Sequence, residues 1–282
     1  MAVRSIPAAE RHLVALDLDG TVLHRDETFD PEVGGAIRAL ADVGHEIVIA
    51  TGRSVDATLP IVERLRIRPE WVVCCNGAVT LRRDPLADRA YRHEFVEAFD
   101  ATEVLTRIRS HLVTALYGLE TVDGELLYTE EIPAGTLPAR RRLVRFEELL
   151  GVQATRLLVV SPDHALEEFL RIVDRLGLTR VSYAIGYTAW LDIAPEGVSK
   201  ESALEVVRQR LGVDRSRVFA AGDGNNDIQM LRWADRFGDA VAMGQAVDAV
   251  KAAAGRVTGR IDEGGLAAAL HTRFPDELGP LG

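Results

Sequence analysis

The stretch Leu13-Val14-Ala15-Leu16 followed by Asp17-Leu18-Asp19-Gly20-Thr21 decides how this chain of 282 residues folds. Four consecutive apolar residues that end near a Gly read as a short buried strand and its exit turn. Side chains alternate along a strand, so Asp17 and Asp19 leave one face about 7 Å apart. Two carboxylates at the end of an apolar strand are costly unless a cation lies between them. Such a pair offers a nucleophile, an acid/base and a seat for a divalent ion. Asp and Gly after a strand are also ordinary turn residues, so the reading depends on partners elsewhere in the chain.

Outward from this stretch, apolar runs alternate with helical patterns. A helix is predicted over Pro31–Val43, with Pro at an early position and Gly44 just past its end. Then come a strand at Glu46–Ala50, a helix at Val55–Leu65 and a strand at Trp71–Cys75. This β-α-β-α-β order with continuously apolar strands predicts a parallel sheet covered by helices on both faces. Ligands of such sheets bind at the carboxyl ends of the strands, where the two aspartates stand.

The pattern changes after about Leu81. A helix (Ala101–Leu112) precedes strands at Val113–Leu119 and Glu125–Thr129; a second set has a strand at Arg156–Val160, a helix at His164–Leu176 and strands near Arg180–Ile185 and Tyr187–Ile193. Helix-then-hairpin order predicts an α+β unit with a mostly antiparallel sheet. Between the sets lies a looser stretch, Glu130–Arg145, with Pro133, Gly135, Pro138 and the run Arg140-Arg141-Arg142. The doubly wound pattern resumes with a helix at Glu201–Arg210 and a strand at Arg217–Ala221. The expected architecture is an α/β fold: a doubly wound parallel-sheet core over 1–82 and 191–282, interrupted by an inserted α+β domain over 83–190.

Bulk properties narrow the partners. A net charge of −10 argues against nucleic acid, whose binders present a basic face. No apolar run approaches the roughly 20 residues that span a bilayer, and Met1–His12 lacks the apolar region of a signal peptide. Cys74 and Cys75 are strand neighbours pointing to opposite faces, so they read as buried thiols in a reducing cytoplasm.

Three further segments carry chemistry. Ala50-Thr51-Gly52-Arg53-Ser54 puts a hydroxyl and backbone N–H groups at a strand-to-helix turn, either a phosphate cradle or a helix cap. Lys200, in Gly197-Val198-Ser199-Lys200, opens a helix where the macrodipole disfavours a cation, which suits a side chain aimed at an anion. Val218–Ala221 leads into Gly222-Asp223-Gly224-Asn225-Asn226-Asp227, where Asp223 and Asp227 are hard oxygen ligands suited to Mg²⁺. Asn76-Gly77 after the third strand reads as a turn.

With these four motifs in this order, the chain resembles the haloacid dehalogenase-like phosphatases, in particular the Cof-type branch whose α/β cap is of subclass IIB. The tail Val241-Ala242-Met243-Gly244-Gln245-Ala246 is similar to the family's Met-Gly-Asn-Ala segment, with Gln245 where Asn is usual; the departure reads as minor. The resemblance implies a Mg²⁺-dependent phosphatase of a small phosphorylated metabolite, such as a sugar phosphate. It implies that Asp17 is the nucleophile forming an aspartyl-phosphate and Asp19 the acid/base. Mg²⁺ would be held by the Asp17 carboxylate, the Asp19 backbone carbonyl and Asp223, with Asp227 orienting that shell. Thr51, Gly52, Lys200 and Asn226 would bind the substrate phosphate. Asp19 itself points to phosphate esters, since dehalogenating and phosphonate-cleaving members lack an acid there.

The inserted domain is expected to act as a lid. Arg140–Arg142 reads as a solvated loop face, Tyr183, Tyr187 and Trp190 as sheet core, and His24 as a loop residue. Phosphosugar mutases of the same subclass share the four motifs and are the rival reading; free phosphate released without an activating bisphosphate separates them. A ligand-binding regulator without activity would have lost a nucleophile or metal residue, and none is missing.

Overall fold

The computed structural model describes residues 6–7, 10–132, 140–178, 181–185 and 189–280. Its elements begin with β1 (Leu13–Leu16), α1 (Pro31–Val43), β2 (Glu46–Ala50), α2 (Val55–Leu65) and β3 (Trp71–Cys74). Local chemistry sets their ends. Asp30 caps α1 by accepting the Glu32 N–H, and Gly44 closes it in the left-handed conformation at φ 110°. Ser54 caps α2 through the Ala57 N–H. β3 stops one residue short of the expected Cys75, because Cys75 turns into the left-handed region at φ 51°.

A hairpin of β4 (Val79–Arg83) and β5 (Tyr91–Val96) follows, pairing antiparallel with β3. β5 has no apolar pattern to announce it, because Arg92, His93 and Glu94 interrupt it; it is a sheet edge, where charge discourages further pairing. The chain then builds a second sheet from β6 (Phe99–Asp100), β7 (Leu116–Thr121), β8 (Leu126–Tyr128), β9 (Arg141–Leu143), β10 (Gln153–Val160), β11 (Val181–Ile185) and β12 (Trp190–Pro195). Helices α3 (Thr102–Arg109) and α4 (Leu166–Leu176) cover it. β9 lies within the stretch read as loose and pairs in parallel with β8, its arginines exposed; residues 133–139 of that stretch and Tyr187 fall outside the described residues.

The core resumes with α5 (Lys200–Leu211), β13 (Val218–Gly222), α6 (Ile228–Asp235), β14 (Asp239–Ala242), α7 (Asp248–Lys251), β15 (Arg256–Val257), α8 (Gly265–Arg273) and α9 (Pro275–Leu278). The first sheet has the order β15-β14-β13-β1-β2-β3-β4-β5, parallel from β15 to β3, and the second β11-β12-β10-β7-β8-β9 with β6 beside β10. The fold is therefore the expected doubly wound α/β core with an added α+β unit. Since β5 belongs to the first sheet and β12 to the second, we place the insertion at 97–195 rather than 83–190.

Alternation along β1 divides the core. Val14 and Leu16 pack with α1, α2 and α8, while Leu13 and Ala15 pack with α5 and α6. Each such Leu or Val, taken fully from water, stabilises the fold by about 1.5–3 kcal/mol. Strand order reverses at β1, which has β13 on one side and β2 on the other. That switch point is where open α/β sheets bind ligands, and it sets Asp17, Thr51 and Asp223 at the ends of adjacent strands. Among the described residues, no helix is long and apolar enough to cross a membrane. Both cysteines are free and buried.

Glu46, at the start of β2, is buried and accepts the Glu70 and Trp71 N–H groups. Burial nevertheless pushes its carboxyl from 4.5 up to about 7. The folded chain thus keeps a proton that the unfolded chain loses above pH 4.5. The stability from this group is complete below about pH 4.5 and gone above about pH 7. Glu46→Gln should raise the melting temperature by roughly 5 °C at pH 8 and leave it unchanged near pH 4.5, in thermal melts across pH.

Candidate active site

Lys200 organises the site. Ser199 caps α5 by accepting the Ser202 N–H, which starts the helix at Lys200 and sends its side chain inward. Its Nζ lies 2.6 Å from Asp17 Oδ1 and 2.6 Å from Asp227 Oδ1, with no exposed side-chain surface. Burial alone would lower the lysine pKa, but the Asp17 and Asp227 charges outweigh it and hold the ammonium protonated. Burial and repulsion from Asp227 push Asp17 well up, against the pull of Lys200. Asp223 is pushed up to about 6 by burial and then by Asp227.

Carboxylate oxygens of Asp17, Asp223 and Asp227 gather within 4.8 Å of one another. Asp227 is committed on both oxygens: Oδ2 accepts the N–H groups of Asp223 (3.0 Å) and Gly224 (2.9 Å), and Oδ1 takes Lys200. It therefore shapes the loop that presents Asp223. Gly20, at φ 84°, passes so close to Asp223 that a Cβ would overlap its carboxylate, so only glycine fits there.

Asp19 does not join this cluster through its side chain. Arg53 grips its carboxylate with two bonds, Nε to Oδ2 at 2.9 Å and Nη2 to Oδ1 at 2.5 Å, and reaches Glu27 at 2.7 Å. The Asp19 side chain is 51% exposed, whereas Asp17 is buried. Thr51 is buried at the end of β2, its hydroxyl accepting the Arg53 N–H, and Gly52 follows with the Asn76 side chain close above it. Asn226 donates to Asn76 Oδ1 at 2.9 Å.

Three contributors escaped the sequence. Arg53 was visible only as part of a motif, with no sign of the acid it holds. Asn76 looked like a turn residue, yet its amide joins Asn226 to Asp192 of β12. Gln245 donates to the Gly20 carbonyl (2.6 Å) and to Asp223 (3.2 Å) while accepting the Ile261 N–H. The longer side chain of Gln245 thus tethers the loop after β1 to the Asp223 loop. Tyr183 differs from its expected core placement and is 46% exposed, while Trp190 packs partly buried beside Val160. Arg140, Arg141 and Arg142 are exposed, as read.

The family model described as haloacid dehalogenase-like hydrolase matches residues 14–270. The sequence is 31% identical over 268 residues to the pyridoxal phosphate phosphatase YbhA of Escherichia coli, covering 88% of this chain and 93% of that protein. It is 29% identical over 283 residues to the 5-amino-6-(5-phospho-D-ribitylamino)uracil phosphatase YitU of Bacillus subtilis, covering 93% and 97%. Among solved structures, the fold is similar to the phosphatase BT1666 of Bacteroides thetaiotaomicron, at 25% identity and a TM-score of 0.73 over 93% of this chain and 94% of that one. It is also similar to the subclass IIB sugar phosphatase BT4131, at 22% identity and a TM-score of 0.76 over 93% and 98%.

Removing Lys200 would leave Asp17 and Asp227 buried without their cation, a loss of about 3–5 kcal/mol. Lys200→Met should show that loss in denaturant unfolding at pH 7.5 with chelator present. The deficit should shrink as pH falls, because the already raised Asp17 carboxyl takes up a proton and one of the two unpaired charges is lost.

Proposed function

Because the chain belongs to the haloacid dehalogenase-like hydrolase family and is a phosphatase, we propose that it hydrolyses the phosphomonoester of a small metabolite through an aspartyl-phosphate on Asp17. The observation that carries this reading is the buried Asp17 carboxylate held at 2.6 Å by the Lys200 ammonium at the switch point of the sheet. The two curated relatives are named for different phosphate esters, so they support the class of substrate rather than one ester.

The donor set suits Mg²⁺. It is all oxygen, buried, and carries more negative charge than Lys200 offsets, and Mg²⁺ takes one or two carboxylates while keeping its waters. Asp17, the Asp19 backbone carbonyl and Asp223 would hold the ion, with Asp227 fixing the Asp223 loop. When bound, the ion would reduce the repulsion between the attacking carboxylate and a dianionic phosphate.

In the first step a carboxylate oxygen of Asp17 attacks phosphorus, the bond to the leaving oxygen breaks, and Asp19 gives that oxygen its proton. In the second, Asp19 takes a proton from water; the water oxygen attacks phosphorus, freeing Asp17 and inorganic phosphate. Asp19 turns between Arg53 and the reacting oxygens, a movement that its half-exposed position allows. Thr51, the backbone of Gly52, Lys200 and Asn226 hold the phosphoryl oxygens; positioning and charge neutralisation are most of what phosphoryl transfer needs. The inserted unit closes over the site and reads the leaving group.

Asp17→Asn keeps the shape of the nucleophile and removes its charge. It should reduce Mg²⁺-dependent release of phosphate from monophosphates by ~10³-fold or more while the fold stays intact by circular dichroism. Turnover at wild-type rates would sink the assignment. Wild-type release that needs no added bisphosphate separates hydrolysis from mutase action.

A further inference from the structure

Cys75-Asn76-Gly77 touches every element proposed to hold the phosphate, and also the inserted sheet. The Cys75 N–H donates to the Arg53 carbonyl (2.9 Å) and the Asn76 N–H to the Thr51 carbonyl (3.0 Å). Gly77, at φ 102°, lies where a Cβ would strike the Ser199 carbonyl at the start of the Lys200 helix. Across the domain boundary, the Cys75 thiol donates to Glu120 of β7 (3.4 Å) and Asn76 Nδ2 to Asp192 Oδ2 of β12 (3.1 Å). Cys75 and Asn76 both adopt left-handed backbone, φ 51° and 53°. Outside glycine such backbone is strained and persists only where the surroundings over-determine it.

The direction of the amide chain follows from donor and acceptor chemistry. Asp192 is a buried-side acceptor fixed by Arg156, which donates Nε to Oδ1 (2.9 Å) and Oδ2 (3.0 Å) and Nη2 to Oδ2 (2.7 Å). An ionised carboxylate can only accept, so Asn76 must turn its NH₂ to Asp192 and its carbonyl to Asn226. Asn226 must then present its NH₂ to Asn76, at 2.9 Å. On the reading that Asn226 binds phosphate, its second amide hydrogen is the one that would meet the anion.

We propose that Asp192, held by Arg156, is a positioning residue that fixes the donor polarity of Asn226 through Asn76. The phosphate-binding amide is then set only when the inserted sheet is seated on the core. The inference rests on the reading that Asn226 binds the substrate phosphate. It differs from simple lid closure in assigning the coupling to one carboxylate and two amides.

A double-mutant cycle on inorganic phosphate binding, followed by calorimetry with Mg²⁺ present, tests it without requiring turnover. Asp192→Asn removes the acceptor-only partner and keeps the shape. It should weaken phosphate binding ~10-fold in the native background and less than ~2-fold in the Asn226→Ala background, because residues acting through one another are non-additive. Equal losses in the two backgrounds, or none in Asp192→Asn, would overturn the proposal. If Asp192→Asn melts far below wild type, Asn76→Ala takes its place in the same cycle with the same expectations. Should Asn226→Ala bind phosphate as tightly as wild type, the role of Asn226 falls and this inference with it. A loss in Asn226→Ala that simply adds to the loss in Asp192→Asn overturns the coupling alone.

Discussion

A lysine ammonium with no exposed side-chain surface bridges the carboxylates of Asp17 and Asp227, and three separate parts of the chain meet on it. Asp17 ends β1, Lys200 begins α5 after the second sheet is complete, and Asp227 closes the loop after β13. Burying these charges costs several kcal/mol per ion, which their attraction offsets only with close geometry and full hydrogen bonding. Both conditions hold at Asp227, where backbone N–H groups satisfy the oxygen that Lys200 leaves free. The pairing also demands that β1 and β13 lie side by side, which the sheet provides by its reversal at β1.

The residues legible in the sequence were those whose signal is local. Asp17, Thr51 and Asp223 each follow an apolar run, and strand alternation with helices is enough to put all three at one sheet edge. Lys200 was legible because a cation at a helix start works against the macrodipole. The α/β core needed only the 3.6-residue and continuous-strand patterns. The insertion boundary needed more: β5 is charged because it is an edge, and charge is what makes a strand look like a loop.

What stayed hidden depended on partners far along the chain. Arg53 and Asp19 are 34 positions apart, and nothing in either neighbourhood announces a two-bonded grip. Asn76 is 150 positions from Asn226 and 116 from Asp192, while Asn-Gly is a sufficient turn signal on its own. Gln245 read as a minor substitution because a one-residue difference in a loop says nothing of reach. Its extra methylene matters only once the Gly20 carbonyl and Asp223 are known to lie on either side of it.

The electrostatic balance of the site explains why a divalent ion belongs in the proposed mechanism. Asp17, Asp19, Asp223, Asp227 and Glu27 are five carboxylates, and the cations that pair with them among the described residues are Lys200 and Arg53. Fully ionised, the group carries five negative and two positive charges, a net −3, before any phosphate arrives. Both cations are already engaged by these acids, so neither can neutralise a phosphate dianion without giving up part of an existing pair. Burial, and after it repulsion from Asp227, makes Asp17 and Asp223 hold protons more tightly than ordinary carboxylates. A protonated Asp17 would be a poor nucleophile in the proposed mechanism, so an unrelieved site would oppose both the attack and the approach of an anionic substrate. A divalent cation held by Asp17 and Asp223 would relieve both problems, and the acidic chain could then accept an acidic substrate at this one place.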